Sequence, residues 1–191
     1  FTTPEFNVNV SQLPFWALTV YFFWKGINFN KNKYWILFGI FSALGFLSKY
    51  LFIYILFSLF IFYIFNFKKY QKALKGYLLS ILISLILLIP HFIWLLENNF
   101  MTIFYGLNRS GLSEFNMFNH LKNPIEFMIK QLITLVPFFL MILMLLKKIK
   151  FKINTKDRKI IFLIFINIIP ILLMLATSLL SGAKIRTMWM T

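Results

Sequence analysis

The sequence predicts an all-α fold, a polytopic transmembrane helical bundle of about six spans. Three observations carry that prediction. The chain of 191 residues is 60% hydrophobic and only 13% charged, with a mean hydropathy of +0.80, whereas a soluble domain is about half apolar and a quarter charged. The apolar runs are continuous and do not alternate, which excludes a barrel whose strands face lipid and lumen in turn. The charges gather in short clusters between those runs, as they must where lipid leaves a helix no partner for an ionised group.

The elements follow in order. Residues 1–14 are polar, and a first span is expected over residues 12–24 with Pro14 in its first turn, where the missing N–H costs nothing. Lys25, Lys31 and Lys33 form a basic loop before a second run, residues 34–47. That run is short, about 21 Å at 1.5 Å per residue. Lys49 then stands alone between two apolar runs, the second being residues 50–65. One continuous helix would bury an ammonium at mid-bilayer, which is costly; two helices with a tight turn place Lys49 at a membrane face. A basic loop over residues 68–75 precedes span four, residues 77–96, which carries Pro90 and His91 near its end. A long polar segment, residues 97–126, leads to span five, residues 127–146. The segment holds Phe100, Met101, Ile103, Phe104 and Leu107, so it predicts short interfacial helices and not a linker. The most basic loop, residues 147–159, precedes span six, residues 160–180, which Pro170 interrupts.

Charge assigns the sides. The loops at residues 25–33, 68–75 and 147–159 hold most of the lysines, and the alternate segments hold Glu5, Glu97, Glu114 and Glu126. Lysine and arginine bias marks the cytoplasmic face, so the second set, with the Lys49 turn, is expected outside. The net charge of +15 would suggest nucleic acid in a soluble protein; clustered between spans it reads as membrane anchoring, and no nucleic-acid partner is expected. There is no cysteine, hence no disulfide or thiolate metal site. Residues 1–191 read as one transmembrane domain. The chain begins at Phe1 without an initiator methionine and reads as an internal piece of a longer protein.

Chemistry is expected on the outer segments. Lys49, at a helix–helix turn, suits an anionic headgroup or a polyprenyl phosphate, against the plainer role of an anchor that snorkels to the interface. Arg109 is the arginine of the long outer segment, and its planar fork suits phosphate; a solvated loop charge is the plainer role. Lys184 and Arg186 run against the inside-positive trend, which favours an anionic ligand. Glu97 suits sugar hydroxyls or a cation, and Trp189 a sugar ring or the interfacial aromatic belt. His91 and His120 have no ligand spacing between them, so no metal site is assigned. No phosphate loop, Ser/His/Asp set or metalloprotease helix is present.

Four stretches together resemble a known family. They are Phe6-Asn7-Val8-Asn9 with Leu13-Pro14-Phe15-Trp16, Gly45-Phe46-Leu47-Ser48-Lys49-Tyr50, Pro90-His91-Phe92-Ile93-Trp94 followed by Arg109, and Ser181-Gly182-Ala183-Lys184-Ile185-Arg186-Thr187-Met188-Trp189. In this order they resemble the bacterial dolichyl-phosphate-mannose protein mannosyltransferase-like membrane glycosyltransferases of the GT-C type. The resemblance implies inverting transfer of a sugar from a polyprenyl-phosphate donor to a glycan, lipid or protein acceptor, on the periplasmic face of the bacterial inner membrane. It implies a donor phosphate held by Lys49, Arg109, Lys184 and Arg186, with Lys49 and Arg109 facing a common cavity. Substrate contacts fall to Asn7, Asn9, Glu97 and Trp189, and the catalytic aspartate to an outer loop before Phe1. No cofactor is implied, with a divalent metal the one alternative kept. A transporter or flippase of lipid-linked saccharides is the alternative function; it would show broken helices with polar residues at the midplane. A structural subunit without chemistry would leave the four basic residues scattered.

Overall fold

The computed structural model describes residues 8–111, 117–146 and 157–184. Among the described residues all regular structure is helical. The order is α1 (Val8–Phe29), α2 (Asn32–Ser48), a 3-10 turn (Tyr50–Phe52), α3 (Ile53–Phe65), α4 (Phe67–Tyr70), a second 3-10 turn (Gln71–Ala73), α5 (Leu74–Glu97), α6 (Met101–Arg109), α7 (Asn119–Leu146) and α8 (Arg158–Ser181). A helix stands at each position where the sequence places a span. Three helical runs are long and apolar enough to cross a membrane, Phe67–Glu97, Asn119–Leu145 and Arg158–Ser181, and Tyr50–Phe65 is a shorter apolar run. The chain divides into two compact units, Phe1–Ile103 and Phe104–Thr191.

In the first unit, small residues let α1, α2 and α5 approach closely. Trp35 of α2 is fully buried with a glycine on either side. A Cβ at Gly76 would lie 2.1 Å from its indole, and one at Gly26 2.9 Å from it. Further along α2, a Cβ at Gly39 would lie 2.6 Å from the Ser80 carbonyl oxygen. The Ser84 hydroxyl is placed to donate to the Gly39 carbonyl at 2.8 Å and to that of Ser80 at 2.9 Å. Such small-residue contacts, with an interhelical hydroxyl bond, are how helices associate where lipid is as apolar as their own side chains. Around Trp35 lies an aromatic core. Phe23 meets Phe38 at 5.3 Å between ring centroids, and Tyr63 stacks on Tyr77 at 4.8 Å. Offset and edge contacts of this kind add to what burial alone contributes.

The turn at Lys49 is present. α2 ends at Ser48, and Lys49 is extended, with φ −165° and ψ 127°. The Lys49 N–H donates to the Gly45 carbonyl at 3.2 Å, and the Phe52 N–H donates to the Lys49 carbonyl at 2.9 Å. Phe52, fully buried, lies so close to Gly45 that a Cβ there would sit 2.3 Å from its ring. Glycine at position 45 is therefore what lets the reversal close.

Several boundaries differ from the sequence expectation. Helix α1 starts at Val8, so Pro14 lies inside it and not in its first turn. The ring removes one backbone bond to the preceding turn, a loss membrane helices tolerate when neighbours resatisfy the freed carbonyl. Lys25 belongs to α1 and not to a loop, and its ammonium stands over the rings of Tyr21 and Phe29 at 5.4 and 5.0 Å. The basic stretch at residues 68–75 is helical throughout, made of α4, the second 3-10 turn and the start of α5.

In the second unit, α7 begins at Asn119, ahead of the expected residue 127, and Glu126 pairs with Lys130 one turn on across that expected boundary. Such a pair supports a helix by a few tenths of a kcal/mol. Helix α8 is capped at both ends. The Asp157 carboxylate accepts from the Lys159 N–H at 2.9 Å, and Gly182 closes the C-terminus in the left-handed conformation, φ +69°. The long segment contains a helix, α6, as its apolar content requires. The basic loop at residues 147–156, and Glu114, lie outside the described residues.

Candidate functional site

In the first unit the two ends of α2 differ in chemistry. At its N-terminal end are the lysines of the α1–α2 turn, and Asn30 donates to the Lys72 carbonyl at 3.0 Å, tying that turn to the second 3-10 turn. Its C-terminal end, about 25 Å away at 1.5 Å per residue, opens on Lys49. The Lys49 ammonium donates to the Asn9 side-chain oxygen on α1. Partial burial pulls its pKa below the usual lysine value, because desolvation disfavours the charged form.

The next residue is bound in another direction. The Tyr50 hydroxyl lies 2.9 Å from His91 Nε2 on α5 and 2.8 Å from Thr102 Oγ1 in the first turn of α6. The imidazole stacks on Trp94 one turn on, at 6.1 Å and 12°, and tilts against the Tyr50 ring at 5.7 Å. His91 lies six residues before the end of α5 at Glu97, near the helix end where the sequence places it. Glu97 is exposed at the C-terminus of α5.

In the second unit Arg109 ends α6. It is exposed, and its guanidinium donates to the Tyr105 hydroxyl at 3.2 Å while lying 5.9 Å from that ring centre. The carbonyl of the following residue, Ser110, accepts from the Lys184 N–H at 2.8 Å. The basic residue of α6 and the basic segment after α8 are thereby joined. A polar clasp fixes that segment from the other side. His120 Nδ1 lies 2.8 Å from the Leu179 carbonyl, the Asn123 amide donates to the Gly182 carbonyl at 2.7 Å, and the Ser178 hydroxyl donates to the Ala183 carbonyl at 2.7 Å. A carbonyl can only accept, so His120 carries its proton on Nδ1. Gly182→Ala should loosen the clasp. A Cβ there would lie 3.1 Å from the His120 ring, and a left-handed alanine costs about 1–2 kcal/mol. Thermal unfolding of the variant should show a lowered midpoint; an unchanged one would contradict this account of the α8 cap.

Lys49 thus meets Asn9 in the first unit, and Arg109 meets the Lys184 segment in the second. Asn7, Arg186 and Trp189 lie outside the described residues. Thr102 and Asn123 are not singled out from sequence, Tyr50 enters there only as the last residue of a motif, and His120 only as a metal ligand that is set aside. Their partners lie tens of positions away in the chain, and no local spacing signals them. Among the described residues no three His, Cys, Asp or Glu side chains gather as a metal-holding group.

Three helical runs of membrane-crossing length, with small-residue packing among the helices of the first unit and polar side-chain networks at helix ends, define a multi-pass membrane protein. Residues 1–94 match the family model of dolichyl-phosphate-mannose-protein mannosyltransferases, and over that stretch the chain is similar to that family. The matched stretch takes in the Lys49 turn and runs into α5 past His91. The family implies a membrane glycosyltransferase that uses a lipid-linked sugar donor. No curated protein and no solved structure matches the chain.

Proposed function

We propose that this chain belongs to an inverting glycosyltransferase that moves a sugar from a polyprenyl phosphate to an acceptor hydroxyl on the outer face of the bacterial inner membrane. The observation that carries the proposal is Lys49, a half-buried ammonium within the family-matched stretch, at the end of α2 remote from the lysine-rich turns. In this mechanism Lys49 holds the donor phosphate in the first unit, and Arg109, Lys184 and Arg186 offer phosphate donors in the second. A base takes the acceptor proton. The acceptor oxygen then bonds to the anomeric carbon as the carbon–oxygen bond to phosphate breaks, and its electron pair stays on the phosphate. Basic donors aimed at that growing charge lower the barrier. The base is assigned to an aspartate of an outer loop before Phe1, and sugar contacts to Asn7, Asn9, Glu97 and Trp189. No cofactor enters these steps.

The test uses the full-length protein in nanodiscs with polyprenyl-phosphate sugars. Polyprenyl phosphate should be released only when an acceptor is supplied, and the new glycosidic bond should have inverted configuration. Movement of intact donor across the bilayer without bond cleavage would overturn the proposal in favour of a flippase. Sidedness is tested separately. A cysteine at Lys69 should resist an impermeant thiol reagent applied from outside, whereas one at Glu97 should react; the reverse pattern would invert the topology.

A further inference from the structure

We infer that Tyr50, His91 and Thr102 form a positioning chain for Lys49, one that touches no phosphate itself and sets where the ammonium stands. The inference rests on the donor-phosphate role of Lys49 proposed above. Lys49 and Tyr50 are consecutive and are held in different directions, Lys49 by Asn9 on α1 and Tyr50 by His91 on α5 and Thr102 on α6. A lysine has a long stem with many rotamers, and fixing its ammonium depends on fixing the backbone it hangs from. At position 49 that backbone is a single extended residue between two helical segments, held by one bond at its N–H and one at its carbonyl. Behind it, Phe52 is wedged on Gly45. Ahead of it, the Tyr50 hydroxyl is the fastening.

The chemistry of the chain is unusual for mere packing. Both bonds run between side chains, over sequence separations of 41 and 52, a class that makes up only about 10–15% of protein hydrogen bonds. Neither satisfies a helix end or a turn. An imidazole on an apolar helix is costly to leave without a hydrogen-bond partner. The Tyr50 hydroxyl, between an imidazole nitrogen and a threonine hydroxyl, donates to one and accepts from the other, so both partners are used at once. The ring of Phe46, 5.4 Å from that of Tyr50, covers its other side.

The experiment measures binding of a polyprenyl phosphate, with the matching polyprenol as control, to the full-length protein in nanodiscs. Tyr50→Phe keeps the ring and removes both hydrogen bonds; Thr102→Val removes one. Tyr50→Phe should weaken polyprenyl phosphate binding by about tenfold, the scale of one or two lost hydrogen bonds, and leave polyprenol binding unchanged. In a Lys49→Met background the same substitution should have no further effect, since it acts only through that ammonium. Restoring a donor–acceptor side chain with His91→Gln should retain more phosphate affinity than His91→Leu. Equal losses for phosphate and polyprenol, or additive losses in the Lys49→Met background, would make the chain structural only and overturn the inference. If Lys49→Met itself leaves phosphate binding unchanged, the donor-phosphate role of Lys49 fails first.

Discussion

Replacing Lys49 by methionine in the full-length protein is expected to lower sugar transfer on the order of 100-fold or more, because a preorganised donor aimed at developing charge contributes that much to rate. The abundance of the variant in the membrane should stay near that of the parent. Methionine keeps most of the side chain's length and an apolar stem, and the turn is closed by backbone bonds to Gly45 and Lys49 and by the Phe52 wedge. None of those uses the ammonium. The plainer role, an anchor that snorkels to the interface, makes a different forecast. In that case Lys49→Gln, which still offers a polar tip, leaves transfer within a fewfold of the parent. Initial rates at saturating and limiting donor separate the effects: loss in the rate at saturation marks a contact made to the leaving phosphate. Rates within a fewfold of the parent for both variants would remove Lys49 from the chemistry.

The second large effect concerns stability. Trp35→Ala should cost about 3–5 kcal/mol, the range for emptying a buried tryptophan site. The cavity cannot collapse readily, because glycines on α1 and α5 already stand against the indole and have no side chains to move in. Gly76→Ala should be damaging from the other side, since its Cβ would fall 2.1 Å from Trp35. Trp35→Leu in the Gly76→Ala background should recover part of the loss, whereas each single variant is worse alone. Thermal unfolding in a fixed detergent measures the parent, the single variants and the double variant. Strictly additive losses would mean that the two positions do not share one steric contact.

Much of the fold was legible in the sequence because the bilayer imposes so strict a rule. Continuous apolar runs between lysine clusters permit helices and little else. The single charge at Lys49 between two such runs forced a turn, and the structure has one there. Residues 45–50 are also one of the four stretches of the family resemblance, and they lie within residues 1–94, which the family model matches. The boundaries that differed did so for local reasons. Lysines beside a span suggest a loop, but a long amphipathic side chain lies along a helix end as readily as in a loop. That is where Lys25, Lys68, Lys69, Lys72 and Lys75 stand. The extra turns of α7 are made of polar residues that a helix also accepts, and one of them, Glu126, pairs with Lys130 inside the expected span.

What the sequence by itself determined is therefore the solvent of this protein, its helices and the one turn that a buried charge makes compulsory. These depend on hydropathy and on charge, which are properties of neighbours along the chain. What only the tertiary structure decided is which polar side chains meet. Tyr50 takes its partners from α5 and α6, Asn9 reaches Lys49 from another helix, and Asn123 closes on Gly182 across 59 positions. A hydrogen bond is directional and fails beyond about 3.5 Å, so it exists only once helix packing has set distances. That packing is governed by Gly26, Gly39 and Gly76, whose role is the space they leave for Trp35 and Ser80, and an empty space has no signature in a sequence read one residue at a time.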